Sequence, residues 1–89
     1  MKVLKFGAVW CNGCLVMRPR WEEIEHENPD LKTEFYDYDN DKAMVEQYGI
    51  DDQLPVAVFV DDNGQELKRF TGEVAKDELL QAIKEFSEK

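Results

Sequence analysis

The sequence predicts an α/β fold, a single four-stranded mixed sheet with three helices covering both of its faces, and three features carry that expectation. Two short apolar runs, residues 3–9 and 56–60, are rich in β-branched residues and hold one charge between them, Lys5, as strands covered on both faces do. Segments of helical periodicity follow at 11–27 and from about Ala75 onward, and strands alternating with helices imply a parallel pair. The stretch Asp61-Asp62-Asn63-Gly64 then reads as a hairpin turn, which makes the last two strands antiparallel.

Taken in order, the first strand ends near Gly7 and Ala8, small residues that leave room for a close neighbour. In the first helix, over 11–27, Leu15, Trp21 and Ile24 share the expected buried face, with Glu22, Glu23 and Glu25 outside. Pro19 falls inside this pattern and predicts a kink, because it lacks an N–H and crowds the preceding turn. Asn28-Pro29-Asp30 stops the helix. Residues 33–38 read as a strand whose acids discourage edge pairing. Asn40 and Asp41 can cap a short helix running through Tyr48, which Gly49 ends. After the 56–60 strand, Gly64 supplies a positive φ, 65–70 returns as a strand, and Thr71-Gly72-Glu73 is a loop. The last helix turns Leu79, Leu80, Ile83 and Phe86 inward and places Asp77 and Glu78 at its start, where negative charge is favoured. The order is β-α-β-α-β-β-α, with no repeat, linker or low-complexity segment, so residues 1–89 are expected to form one domain.

A chain of 89 residues buries about 60–65% of its unfolded surface, so its core must be compact. Its 35% of charged residues are of mixed sign and do not signal disorder. The net charge of −9 argues against nucleic acid and anionic membranes and favours neutral or basic protein partners. No apolar run approaches the ~20 residues of a membrane span. Lys2 and Lys5 interrupt the first apolar run, so no secretory leader is expected, and the chain reads as a cytoplasmic monomer in which a dithiol is kept mostly reduced.

The two cysteines of the chain lie in Trp10-Cys11-Asn12-Gly13-Cys14, between the first strand and the first helix. Cys-x-x-Cys at such a junction points to redox chemistry. Only a thiolate attacks a disulfide, and Cys11 falls at the helix start, where unpaired N–H groups and the positive end of the dipole favour one. Cys14 lies one turn on, near enough to close a ring disulfide with Cys11. Cys11 is therefore expected to be the exposed nucleophile and Cys14 the shielded resolver, with no cofactor beyond the sulfurs. Two other classes compete. A zinc site needs four ligands, and the chain offers two cysteines and His26, so a metal or cluster would have to bridge two chains. A non-catalytic interaction domain could also carry the pair as ordinary buried thiols. The acids Asp37, Asp39 and Asp41 lack the glycine and distal glutamate of a calcium loop. Trp21 reads as core, and His26, Arg18 and Arg20 as solvated surface groups.

Phe6, Ala8, Trp10, Cys11, Cys14 and Pro19, followed by Asp39, Tyr48-Gly49-Ile50, Pro55, Gly64 and Gly72, resemble the thioredoxin family over nearly the whole chain. The resemblance implies a thioredoxin fold and a protein-disulfide reductase, regenerated by a flavin-dependent reductase of the thioredoxin-reductase kind. It implies a cis bond before Pro55, backbone groups at Leu54 that meet a substrate strand, and a substrate groove lined by Trp10 and Gly72. Four departures stand out. The family's leading strand and helix are missing, which makes the 33–38 strand an edge. Asn12-Gly13 replaces the usual Gly-Pro and should shift the redox potential, since Gly13 weakens the helix start. Lys5 stands where the family keeps a buried acid, and Phe35 where it usually keeps a lysine. An ammonium in a central strand either runs its stem along apolar neighbours to water or a carboxylate, or lies behind the cysteines and favours the thiolate.

Overall fold

The computed structural model of the protein describes residues 1–87. Its elements are β1 (Lys2–Gly7), α1 (Asn12–Glu27), β2 (Lys32–Asp37), α2 (Lys42–Gln47), β3 (Val56–Val60), β4 (Glu66–Thr71) and α3 (Lys76–Ser87), in the predicted order. They form one four-stranded sheet of order β2-β1-β3-β4. β1 pairs parallel with β2 and antiparallel with β3, and β3 pairs antiparallel with β4. This is the thioredoxin fold, with β1 and β3 central and β2 at an edge.

Alternation along the central strands divides the core. On one face Val3, Ala57 and Phe59 pack with Met17, Trp21 and Ile24 of α1 and Leu79, Ala82 and Ile83 of α3. On the other, Leu4, Phe6, Val56, Val58 and Val60 pack with Val45 of α2 and with Ile50. Every residue of β3 is buried, as its unbroken apolar run requires. Fully buried side chains such as Phe6, Phe59 and Ile24 each contribute about 1.5–3 kcal/mol.

Three local expectations need correction. β1 stops at Gly7 rather than running to Val9: the Tyr38 N–H makes the last bond to β1, at the Gly7 carbonyl (2.8 Å), and the Cys11 N–H then closes on the Ala8 carbonyl at 3.2 Å, turning the chain into α1. Leu15 is 62% exposed, and Met17 takes the expected place on the buried face. Asp41 occupies the N-cap of α2 but makes no capping bond there, since its carboxylate accepts the Asp37 N–H at 2.7 Å. α1 continues through Pro19 to Glu27, where the side-chain amide and N–H of Asn28 both donate to the Ile24 carbonyl.

Candidate active site

Three segments meet at one end of the sheet: the turn into α1, the Leu54–Pro55 peptide before β3, and the loop after β4. Cys11 is the N-cap of α1, in extended backbone, and its sulfur accepts the Cys14 N–H at 3.2 Å. Cys11 and Cys14 form a disulfide, their Cα atoms 5.3 Å apart. The N-cap position matches the sequence reading, but the predicted exposure does not. Cys11 is only 6% exposed, while Cys14 is half-buried and lines the adjoining cavity. The sulfur that caps the helix is drawn in over its N-terminus, so its advantage as a nucleophile is electrostatic rather than one of area.

Leu54–Pro55 is cis. A Cβ on Gly13 would stand 2.9 Å from Pro55 Cδ, so glycine lets the first turn of α1 approach the proline ring. Gly72, at φ +85°, takes a conformation that a side chain strains, and its N–H donates to the Pro55 carbonyl at 2.7 Å. Leu54 is half-buried, and its N–H is already donated to Asp52 O at 3.2 Å. Asn12 is exposed at the first position of α1.

Trp10 is half exposed and is held by two contacts: its indole N–H donates to Asp39 Oδ2 at 2.9 Å, and its ring meets Tyr38 edge-on at 5.9 Å. Asp39 is the partner that reading the sequence did not assign. Its own N–H donates to Asp37 Oδ1, so Asp37, Asp39 and Asp41 fix a turn. Among the described residues no group of three His, Cys, Asp or Glu side chains is placed to hold a metal ion. His26 is exposed in the last turn of α1, and Arg20, expected as a solvated group, is half-buried and donates to the Val74 carbonyl at 2.7 Å.

Behind Cys14 lies a cavity of about 400 Å³ lined by Lys5, Trp21, Glu25, Phe35 and Pro55 among others. Lys5 Nζ pairs with Glu25 Oε2 at 2.8 Å and lies 5.9 Å from the Trp21 ring centroid, while Thr33 donates to Glu25 Oε1 at 3.1 Å. The first expectation for Lys5 is met, since its stem runs along an aromatic to a carboxylate, and the residue lines the same cavity as Cys14. Glu25, expected on the outer face of α1, faces inward because it sits one turn beyond Trp21. Phe35 pairs in register with Lys5 on β2, and its ring comes within 3.1 Å of the point where a Cβ on Gly7 would stand, as does Cys14 Sγ.

The family description Thioredoxin matches residues 1–85. The chain is 31% identical to a thioredoxin of Chlamydia caviae over 85 residues, 96% of this chain and 81% of that protein. It is 29% identical to a thioredoxin of Mycoplasmoides gallisepticum over 92% of this chain and 80% of that one. Among solved structures, thioredoxin 1 of Thermosipho africanus superposes with a TM-score of 0.83 at 25% identity, covering 99% of this chain and 96% of that one. The Fasciola hepatica thioredoxin superposes equally well, at 0.83 and 29% identity, over 93% of this chain and 77% of that one. With Cys11 and Cys14 at CxxC spacing on this fold, the chain belongs to the thioredoxin family and is a thiol–disulfide oxidoreductase of the protein-disulfide reductase kind.

Proposed function

We propose that the protein works in the cytoplasm as a monomeric, one-domain reductant of protein disulfides, with Cys11 as nucleophile and Cys14 as resolver. The observation that carries this is the Cys11 sulfur at the N-cap of α1, accepting an N–H at the positive end of the helix, where a thiolate is favoured. In the reduced protein the Cys11 thiolate attacks one sulfur of a substrate disulfide. That S–S bond breaks, a mixed disulfide forms, and the first substrate sulfur leaves as a thiolate that takes up a proton. Cys14 then gives up its proton and attacks Cys11 Sγ, and the second substrate sulfur leaves. Two electrons and two protons have passed to the substrate, and the Cys11–Cys14 disulfide remains.

The sulfurs carry the electrons in this reading, so no further cofactor is needed. Regeneration takes two electrons from a donor, for which a reductase of the thioredoxin-reductase kind is proposed. Trp10, Leu54, Pro55 and Gly72 are proposed to line the substrate groove. The convergence of these four on the disulfide end of the sheet supports that assignment. Lys5, with its partner Glu25, is proposed to tune the thiols together with Asn12 and Gly13.

The test is insulin reduction followed by turbidity with dithiothreitol as donor. The wild-type protein should accelerate it, and Cys11→Ser and Cys14→Ser should each abolish the acceleration. Cys14→Ser should accumulate a mixed disulfide through Cys11, whereas Cys11→Ser should accumulate none. First alkylation of Cys14 in the reduced protein would reverse the two roles. Stoichiometric metal in anaerobically purified protein, with no insulin reduction, would replace the reading by a bridged metal site.

A further inference from the structure

We propose that the preferred substrates are disulfides with an apolar residue beside the cysteine and lysine or arginine close by, taken on an apolar, acid-rimmed face around Cys11–Cys14. This rests on the reductase reading above and names its substrate class.

Six large hydrophobic residues are well exposed among the described residues, and five of them, Val9, Trp10, Leu15, Val16 and Phe35, lie on the segments around the disulfide. A chain this small gains nothing in solution from gathering its exposed apolar side chains at one end, and such a gathering marks a contact face. Phe35 is the sharpest case. It stands 58% exposed on the edge strand, beside Cys14 Sγ, and belongs to neither core cluster. An apolar residue next to a substrate cysteine would cover that ring.

The charges around this face are mostly negative. Asp37 lines the cavity with Cys14, and Asp39 holds Trp10. Asp51 and Asp52 are exposed in the turn that leads to Leu54–Pro55, and exposed Glu73 has its Cγ 3.6 Å from the Cβ point of Gly13. Of the cations on the cavity wall, Lys5 is offset by Glu25, and the exposed Arg18 is outnumbered by the acids named above. With a net charge of −9 behind this rim, a cationic substrate segment is drawn in and an acidic one repelled. Steering of this kind typically changes association rates by about 10-fold or more at low salt.

The experiment uses three peptides, each with one internal disulfide and a leucine beside it, flanked by two lysines, two serines or two glutamates. Second-order rates with the fully reduced protein are divided by the rate of the same peptide with dithiothreitol, which cancels the effect of flanking charge on the peptide's own reactivity. The normalised lysine-to-glutamate ratio should be about 10 at low salt and fall towards unity near 0.5 M, where screening reaches within a few ångströms. The variant Asp51→Asn/Asp52→Asn/Glu73→Gln should lower the ratio. Phe35→Ser should slow the leucine peptides more than glycine versions of them. A ratio at or below unity, or one that salt does not change, overturns the proposal while leaving the reductase reading intact. A serine peptide reduced no faster than by dithiothreitol overturns the reductase reading and this proposal with it.

Discussion

Position 13 shows how one residue sets the geometry of the site. The Cβ of an alanine there would lie 2.9 Å from Cδ of a proline ring that cannot rotate away, so the first turn of α1 has to shift. Overpacking of this kind costs about 1–3 kcal/mol, and the better helix propensity of alanine returns at most ~1 kcal/mol. Gly13→Ala should therefore lose about 1 kcal/mol in urea unfolding, by the difference of those two effects, and lower kcat/KM in insulin reduction. Stability and turnover both at the wild-type level would show that the approach of α1 to Pro55 is slack.

A second pair at this scale gives a pH dependence. Tyr36 donates to the Glu34 carboxylate at 2.5 Å. Chiefly through that bond, and then through burial and neighbouring negative charge, its phenol is pushed up to about 12 from 10.0. The same bond, ahead of the opposing effect of burial, holds the Glu34 carboxyl below its ordinary value of 4.5. For the raised phenol, the stability it adds is complete below pH 10 and is lost as pH rises towards about 12. For the lowered carboxyl, the stability it adds is complete above the ordinary glutamate range and is lost as pH falls through its folded value. The stability gap between wild type and Tyr36→Phe should be flat from about pH 6 to 9 and shrink on both sides, read from urea unfolding across pH. A gap constant into strong alkali would mean that the bond does not form in solution.

At the scale of elements, much of the molecule was legible in the sequence because the signals were redundant. The β3 run and the Asp61–Gly64 turn each specify the hairpin, and Gly64 does adopt φ +82°. Gly7 and Cys11 read as close-approach and cap positions without reference to their distant neighbours, whereas the cis bond before Pro55 came from the family resemblance. What the sequence hid was mostly contact between residues far apart in it. Glu25 looks like one of a row of outward acids, yet Trp21 four residues earlier defines the inner face, and Lys5 in an apolar strand needed a carboxylate. Those two signals together could have paired them. Leu15 misled because helical spacing alone does not show which side of the first turn of α1 meets the sheet, and the burial of Cys11 follows from a sulfur folded back on its own helix.

The Lys5–Glu25 link between β1 and α1 carries its own prediction. Its side chains are 20% and 34% exposed, so solvent weakens the pair's field without removing it. Lys5→Met leaves the Glu25 carboxylate without its cation on the wall that Cys14 lines, and a lone negative charge disfavours a thiolate. Titration of thiolate absorbance in the reduced protein should move to higher pH in Lys5→Met and return most of the way in Lys5→Met/Glu25→Gln. Identical curves for parent and Lys5→Met would leave Lys5 as packing along Trp21 and nothing more.

Over the whole molecule, folding and redox state are linked, and the linkage bears on the direction of electron flow. Closing the Cys11–Cys14 ring, a sequence separation of 3, removes freedom from the unfolded chain. For a loop this short the chain-entropy relation gives about 2 kcal/mol in favour of the oxidised native protein. Opposing it, the reduced protein gains from a Cys11 thiolate at the helix end, typically about 0.3–1 kcal/mol and at most ~2. That opposing gain needs the thiolate, so it is absent at low pH and grows as pH rises towards the ordinary thiol range. The oxidised form should therefore melt higher by about 8–16 °C near pH 6, at roughly 4–8 °C per kcal/mol for a domain of this size. The gap should narrow towards about pH 8.5, the pKa of a free cysteine. A fold that favours its disulfide over the dithiol, compared with the unfolded chain, makes the folded pair the stronger reductant, in keeping with a protein that gives electrons away. Melting curves of the oxidised and reduced forms at the two pH values decide it. A reduced form that melts higher at both would mean that the fold stabilises the dithiol, and that the protein is built to oxidise its partners.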